Sequence, residues 1–336
     1  MSSLRVAFAR DGFVIRRQVL GAEELETLRA AAARTTGRAR AGHWPDVRTV
    51  GKQFPPWPRP AAGEPPAEGI WGVQGLLNPA LGPDADVFAA SYFDDGILAV
   101  ARALLTHEAA GREDDEEDDD DDECTDDDLV LELYNMLVRP ASDFELEWHR
   151  DDVPRTATAD EEAAKLGIAS SSEPAPEAAA AATPQTGKKR YWHTQWNLAL
   201  YDDDSLVVVP GSHARVRTAA ERAAAPREPA LPGQLVVRLA PGDAVFYDNN
   251  ILHRGVYRAD RERMSLHGSV GRAGGGRFRA TNVLQHGIGQ WVDRCDFAAL
   301  AEGPGGEAMR RRAEGMRARL VELGRRSGDV GYSLAG

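Results

Sequence analysis

The sequence predicts a mainly β protein, an antiparallel sandwich or barrel with helices packed against it. Short runs rich in Val, Leu and aromatic residues, bounded by Pro, Gly and Asp, recur through the middle of the chain. Helical periodicity is confined to the two flanks, and two low-complexity stretches interrupt the strand pattern without replacing it. A chain of 336 residues accommodates one large domain with insertions, or one and a half domains, and nothing demands a second core.

In chain order, Glu23 to Ala33 sets Leu25, Leu28 and Ala32 on one stripe, as an amphipathic helix requires. Asp84 to Leu105 is a second helical region, broken near Asp94-Asp95-Gly96. The strand runs are Leu129 to Val138, Tyr191 to Leu200, Leu206 to Val209, Leu235 to Leu239, Ala244 to Tyr247 and Met264 to Val270. Glu307 to Arg325 closes the chain as a helix with Ala313, Met316, Leu320 and Leu323 on one side. The expected organisation is a helical and loop region over 1–110, an acidic insertion over 111–128, the β core over 129–271, and a C-terminal loop and helix over 272–336.

The net charge of −13 is local, not global. Glu113 to Glu123 is an unbroken run of eleven acids, and Asp126, Asp127 and Asp128 follow, which together carry all of the imbalance. Like charges in a block repel one another and stay solvated, so 111–128 is expected to be disordered, and nucleic acid is disfavoured as a partner. The run lacks the Gly and the alternating spacing of a calcium loop. A second stretch, 157–189, is rich in Ala, Glu, Ser and Pro and holds at most one or two helical turns near Asp160 to Leu166. It follows Asp151 closely, so its ends fall near a site mouth, where it serves either as a lid or as a plain linker.

Cys124 and Cys295 lie far apart and suggest no disulfide framework. The opening MSSLRVAFARDGF lacks an apolar signal core, no apolar stretch approaches a membrane span, and Tyr332-Ser-Leu-Ala-Gly336 is no peroxisomal signal. An intracellular, cytoplasmic protein is expected, with no membrane or obligate protein partner.

One triplet carries chemistry. In His149-Arg150-Asp151 the first and third side chains share a face of an extended segment while Arg150 points away. With His253, in the phrase GDAVFYDNNILHRG, they make two imidazoles and a carboxylate, the set that holds non-haem Fe(II) on one face. Among eight His and many Asp, such a triplet arises by chance on the order of once, so its surroundings matter.

Those surroundings are specific. Asn135-Met-Leu-Val-Arg-Pro140 precedes the triplet; Gln195-Trp-Asn-Leu-Ala-Leu-Tyr201 and Ser205-Leu-Val-Val-Val-Pro-Gly-Ser-His213 follow it. Leu239-Ala-Pro-Gly-Asp-Ala-Val-Phe-Tyr-Asp248 then leads to His253, with Arg263 ten residues on, and Asp11-Gly-Phe-Val-Ile-Arg-Arg opens the series. This order of phrases, from about Phe13 to about Gly271, resembles the phytanoyl-CoA dioxygenase family of Fe(II)/2-oxoglutarate oxygenases.

The resemblance implies a double-stranded β-helix, a cupin-like jelly roll. It also implies Fe(II) on His149, Asp151 and His253, 2-oxoglutarate as co-substrate, and O2. The implied reaction hydroxylates an unactivated C–H bond of a small molecule and releases succinate and CO2. Arg263 matches the family's partner for the far carboxylate of the co-substrate, a role suited to a planar, permanently charged fork. Alternation then puts Ser265 and His267 on its face; the competing reading makes Arg263 one of several arginines at an exposed turn. Met136 and Trp196 align with pocket residues of the family, and Gly255 falls where the family often has a small or hydroxylated residue.

Tyr134, Gln195 and Asn197 are further polar candidates, which alternation forbids from all facing inside. His213 reads as turn support, and His43, His107, His193 and His286 as surface or satisfied polar residues. Asp152 is expected to hold Arg150 or Arg155. Two other classes stay open: a non-catalytic ligand cup, and a zinc hydrolase on the same three ligands.

Overall fold

Residues 2–54, 57, 61, 63–107, 123–168, 191–284, 286–302 and 305–328 are described by a computed structural model. Its strands are β1 (Phe13–Arg16), β2 (Val47–Thr49), β3 (Ile70–Val73), β4 (Leu129–Val138), β5 (Phe144–Glu145), β6 (His193–Ala199), β7 (Leu206–Val209), β8 (Leu235–Val236), β9 (Ala244–Tyr247), β10 (Leu252–Tyr257) and β11 (Met264–Arg272). Its helices are α1 (Ser2–Asp11), α2 (Ala22–Arg40), α3 (Pro83–Tyr92), α4 (Asp95–Leu105), α5 (Ala159–Leu166), α6 (Ala219–Ala223), α7 (Arg277–Leu284) and α8 (Gly306–Ser327).

All pairings are antiparallel, in a seven-stranded sheet ordered β1-β9-β6-β11-β4-β3-β2 and a four-stranded sheet ordered β5-β10-β7-β8. At the centre of the larger sheet β11 pairs with β4 on one side and β6 on the other, so that Ser265 lies opposite both Leu137 and Ala199. Period-two alternation gives these strands two different faces. Met136, Trp196, Leu198, Leu266 and Val270 join one buried cluster with Leu28 of α2, Phe88 and Tyr92 of α3, Ile97 of α4 and Met316 of α8. Leu133, Leu137, Gln195, Asn197, Arg263 and His267 line a cavity on the other side, which His253, Gly255 and Tyr257 of the smaller sheet complete.

The flanking helices follow their stripes. Ala313, Met316 and Leu320 are the buried line of α8. The break between α3 and α4 falls at Phe93 and Asp94, where the Asp94 side chain caps α4 by accepting from Gly96 N–H at 2.7 Å. Among the described residues no helix is long and apolar enough to cross a membrane.

The reading of the acidic stretch needs correction where residues are described, and the helical turns expected near Asp160 to Leu166 are present as α5. Thr125 to Asp128, expected to be disordered, form a turn tied by opposite charges: Asp126 meets Arg102 of α4 and Arg312 of α8, the latter at 2.6 Å, and Asp128 lies 3.4 Å from Arg272. Arginines from three elements offset the repulsion that composition alone emphasises. Residues 111–122 lie outside the described residues.

The start of the second stretch is a docked helix. Thr158 and Glu161 form a reciprocal cap on α5, and Gly167 ends it in the left-handed region. Glu162 is fully buried, between Arg150 at 2.9 Å, Arg217 at 3.3 Å and Arg222. Arg150 is therefore held by Glu162 and not by Asp152, whose carboxylate accepts from Asn249 and Asn250. Residues 169–189 of that stretch lie outside the described residues.

Candidate metal centre

His149 and His253 face each other across an antiparallel bridge, each backbone N–H donating to the other's carbonyl at 3.0 Å. Such a pairing sends both side chains to one face, and the ring centroids stand 4.2 Å apart. Asp151 follows on the same face, its N–H bound to the Asn249 carbonyl at 2.9 Å. Ligand atoms of His149, Asp151 and His253 lie within 4.8 Å of one another. Asp151 Oδ1 is 3.5 Å from His149 Nε2 and 3.8 Å from His253 Nε2.

The tautomers are decided by the backbone. His149 Nδ1 is 2.7 Å from the Glu147 carbonyl and His253 Nδ1 is 2.8 Å from the Ile251 carbonyl, in each case the residue two before the histidine. A carbonyl only accepts, so both protons sit on Nδ1 and both Nε2 lone pairs face Asp151. Metal-binding histidines are oriented in this way. Burial, and then the neighbouring His253, pushes the His149 pKa down to about 4; burial pushes His253 to about 4. Both rings are neutral near neutral pH, as ligation requires. Burial raises Asp151, and His149 opposes that shift.

Supporting side chains close the site. Gln195 Nε2 donates to Asp151 Oδ2 at 3.0 Å. Gln53 accepts from Glu147 N–H at 2.8 Å and donates its amide N–H to the Glu147 carbonyl at 3.2 Å, the same carbonyl that orients His149, with Phe54 edge-on to that ring at 5.4 Å. Two neutral nitrogens and one carboxylate oxygen, converging on one point, fit a divalent metal ion.

No protein-family model matches the chain, and no curated protein does. Solved structures do resemble it. AviO1 from Streptomyces viridochromogenes Tue57 is 18% identical over 80% of this chain and 94% of its own, with a TM-score of 0.49. EctD from S. alaskensis with bound Fe is 17% identical over 82% and 78%, with a TM-score of 0.49. HygX from Streptomyces hygroscopicus with nickel and 2-oxoglutarate bound is 20% identical over 81% and 87%, with a TM-score of 0.48. Likeness of this degree decides no chemistry, which rests on the side chains themselves.

The cavity beside the three ligands has a volume of about 180 Å³. Arg263 lines it and is 6% exposed, not at an exposed turn. Its Nε lies 3.2 and 3.3 Å from the Asp203 oxygens, its guanidinium covers the Tyr257 ring at 4.4 Å, and its Nη1 is buried without a partner. Burial opposes ionisation of Asp203, but Arg263 and the hydrogen bonds from Ser205 and Ser265 together outweigh it and hold the carboxyl below its usual range. Ser265 donates to Asp203 and does not line the wall, so its contact with the cavity runs through Asp203. Gly255 does line it, and Tyr257 Oη fills the space its missing Cβ would take.

Met136 and Trp196 do not wall this cavity, which corrects the expectation drawn for them. Met136 Sδ accepts from Thr36 of α2 at 3.9 Å, and Trp196 packs against Tyr92 at 5.4 Å and Phe246 at 6.0 Å. They sit on the alternate positions of β4 and β6, which face the helices. Gln195 and Asn197 take the inward positions, and Tyr134 points outward to Ser91 at 2.7 Å.

Other inward residues were not expected. His193 Nδ1 is 2.7 Å from Glu132, which also pairs with Arg279 at 3.0 Å. Burial opposes ionisation of Glu132, but Arg279 and His193 outweigh it and keep the carboxyl below its usual range. His286 and Arg48 complete the polar lining. The alternation that selects Gln195 also selects His193; the three residues of β2 carry no readable period, and nothing in the sequence marks Arg48.

Proposed function

We propose that the chain is an Fe(II)- and 2-oxoglutarate-dependent dioxygenase resembling the phytanoyl-CoA dioxygenase family, built on a double-stranded β-helix and acting on a small organic molecule. One observation carries the reading. Both histidines give Nδ1–H to the carbonyl two residues back, and both Nε2 atoms converge with Asp151 Oδ1. Two imidazoles and one carboxylate on one side leave positions open, the donor set of non-haem Fe(II) oxygenases. With 2-oxoglutarate and O2, the bound metal would supply oxidation of an unactivated C–H bond to an alcohol, releasing succinate and CO2.

The chain's own residues prepare that chemistry. His149, Asp151 and His253 hold the ion, and Gln195 fixes which carboxylate oxygen faces it. Arg263, with a buried and unpartnered Nη1, is the candidate anchor for the co-substrate's far carboxylate. Ser265 and Ser205 brace Asp203, and Asp203 in turn orients Arg263. Leu133, Leu137 and Leu206 give the cavity an apolar wall. The reading requires no nucleic acid, membrane or obligate protein partner.

The test is anaerobic. Fe(II) and 2-oxoglutarate added to metal-free protein should give a visible metal-to-ligand charge-transfer band, lost in Asp151→Ala and weakened in Arg263→Ala. Iron binding without a band sinks the 2-oxoglutarate reading and favours a zinc enzyme or a ligand cup.

A further inference from the structure

The arginines around the cavity differ in what balances their charge. Arg263 faces Asp203 at 3.2 Å, and Arg279 faces Glu132 at 3.0 Å, so each is offset by a carboxylate. No described carboxylate hydrogen-bonds to Arg48, and the acid whose charge reaches it is Asp151 of the three ligands. Its guanidinium lies over the rings of Trp57 at 5.3 Å and Trp71 at 5.2 Å, and its Nε is buried with no hydrogen bond. An unpaired cation against a largely buried wall is costly, and a bound anion relieves it.

The fold brings Arg48 to that wall. In register it lies opposite Gly72 of β3, and a Cβ on Gly72 would stand only 3.0 Å from Arg48 Cδ. The bare glycine lets the side chain lie flat across its neighbour strand. Arg48 covers Trp71, Trp71 stacks on Tyr257 at 5.6 Å and 21°, and Arg263 covers Tyr257 at 4.4 Å. The two guanidiniums are joined by one aromatic pair.

We infer that Arg48 is a second anchor for the distal carboxylate of the co-substrate and supplies the positive charge that Asp203 removes from Arg263. The inference rests on the 2-oxoglutarate reading above. The cavity, about 180 Å³, has room beside the three ligands for a short-chain acid. A dianion placed with a divalent metal, the Asp151 carboxylate and the offset Arg263–Asp203 pair leaves one negative charge over. Arg48 cancels it, and in a site of low dielectric that charge matters.

A cycle of ligands and variants tests this. 2-Oxoglutarate and 2-oxopentanoate, which lacks the distal carboxylate, are titrated into metal-free and anaerobic Fe(II)-loaded protein. Tryptophan fluorescence is read in both states and the charge-transfer band in the second. Arg48→Gln should raise the Kd for 2-oxoglutarate roughly 10- to 100-fold, the range for one charge-assisted hydrogen bond, and leave 2-oxopentanoate unchanged. Arg48→Lys should keep most of the affinity.

Unchanged 2-oxoglutarate affinity in Arg48→Gln, or equal losses for both acids, overturns the inference. If Arg48→Gln melts abnormally, Arg48→Met, which keeps an unbranched side chain against Trp57 and Trp71, carries the same expectation and the same refutation. Wild-type protein that binds no 2-oxoglutarate refutes the parent reading, and the inference with it, before any substitution is made.

Discussion

Gln195 donates to Asp151 Oδ2 at 3.0 Å, so Asp151 presents Oδ1 alone to His149 and His253. Without the amide the carboxylate is free to rotate. Gln195→Ala is expected to weaken metal affinity about 10- to 100-fold, the usual effect of losing a group that orients a ligand, with an unchanged melting temperature. Competition against a chelating dye measures it, and wild-type affinity would mean that Asp151 is oriented by other contacts.

Asp203 both holds Arg263 and offsets its charge. In Asp203→Asn the buried guanidinium loses its carboxylate, which should cost about 3–5 kcal/mol of stability. The freed charge should bind 2-oxoglutarate more tightly, so saturating ligand should raise the melting temperature further above the ligand-free value than in wild type. A smaller shift than in wild type would show that Asp203 orients Arg263 more than it competes with the ligand.

Trp196 belongs to the helix-facing core. Trp196→Phe is expected to lower stability by about 0.5–3 kcal/mol, as substitutions in packed interiors do, and to leave the Kd for 2-oxoglutarate as it was. A selective loss of 2-oxoglutarate affinity at wild-type stability would return Trp196 to the pocket.

His286 carries a pH prediction. Burial, and then the charge of Arg48, pushes its pKa from 6.5 down to about 3. The fold thus favours the neutral ring, and the stabilisation is complete above pH 6.5 and lost as pH falls toward about 3. Urea midpoints of metal-free protein between pH 6.5 and 4 should fall more steeply in wild type than in His286→Gln. Parallel slopes would remove His286 from the acid response, since His149, His253 and His267 are common to both proteins.

The parts that could be read in advance are those with a period. His149 and Asp151 share a face because strands repeat every two residues, and α8 buries Ala313, Met316 and Leu320 because helices repeat near every three and a half. Met136 and Trp196 match the family's pocket positions, yet that same alternation turns them toward the helices and gives the inward places on β6 to Gln195 and Asn197. Glu162 was hidden differently. In a tract of Ala and Glu an acid reads as solvated, and its partners Arg217 and Arg222 arrive from more than fifty residues away. Charge pairing of that kind has no local signature, and it also ordered Asp126 and Asp128.

The bridge between His149 and His253 makes the spacing of the imidazoles a property of the backbone, fixed before any ion arrives. Small domains organised by their metal unfold when it is removed. In this chain the groups that set the spacing, two backbone amides and two carbonyls, are not the groups that face Asp151, so the distance between the rings is carried by main chain that a side-chain substitution leaves in place.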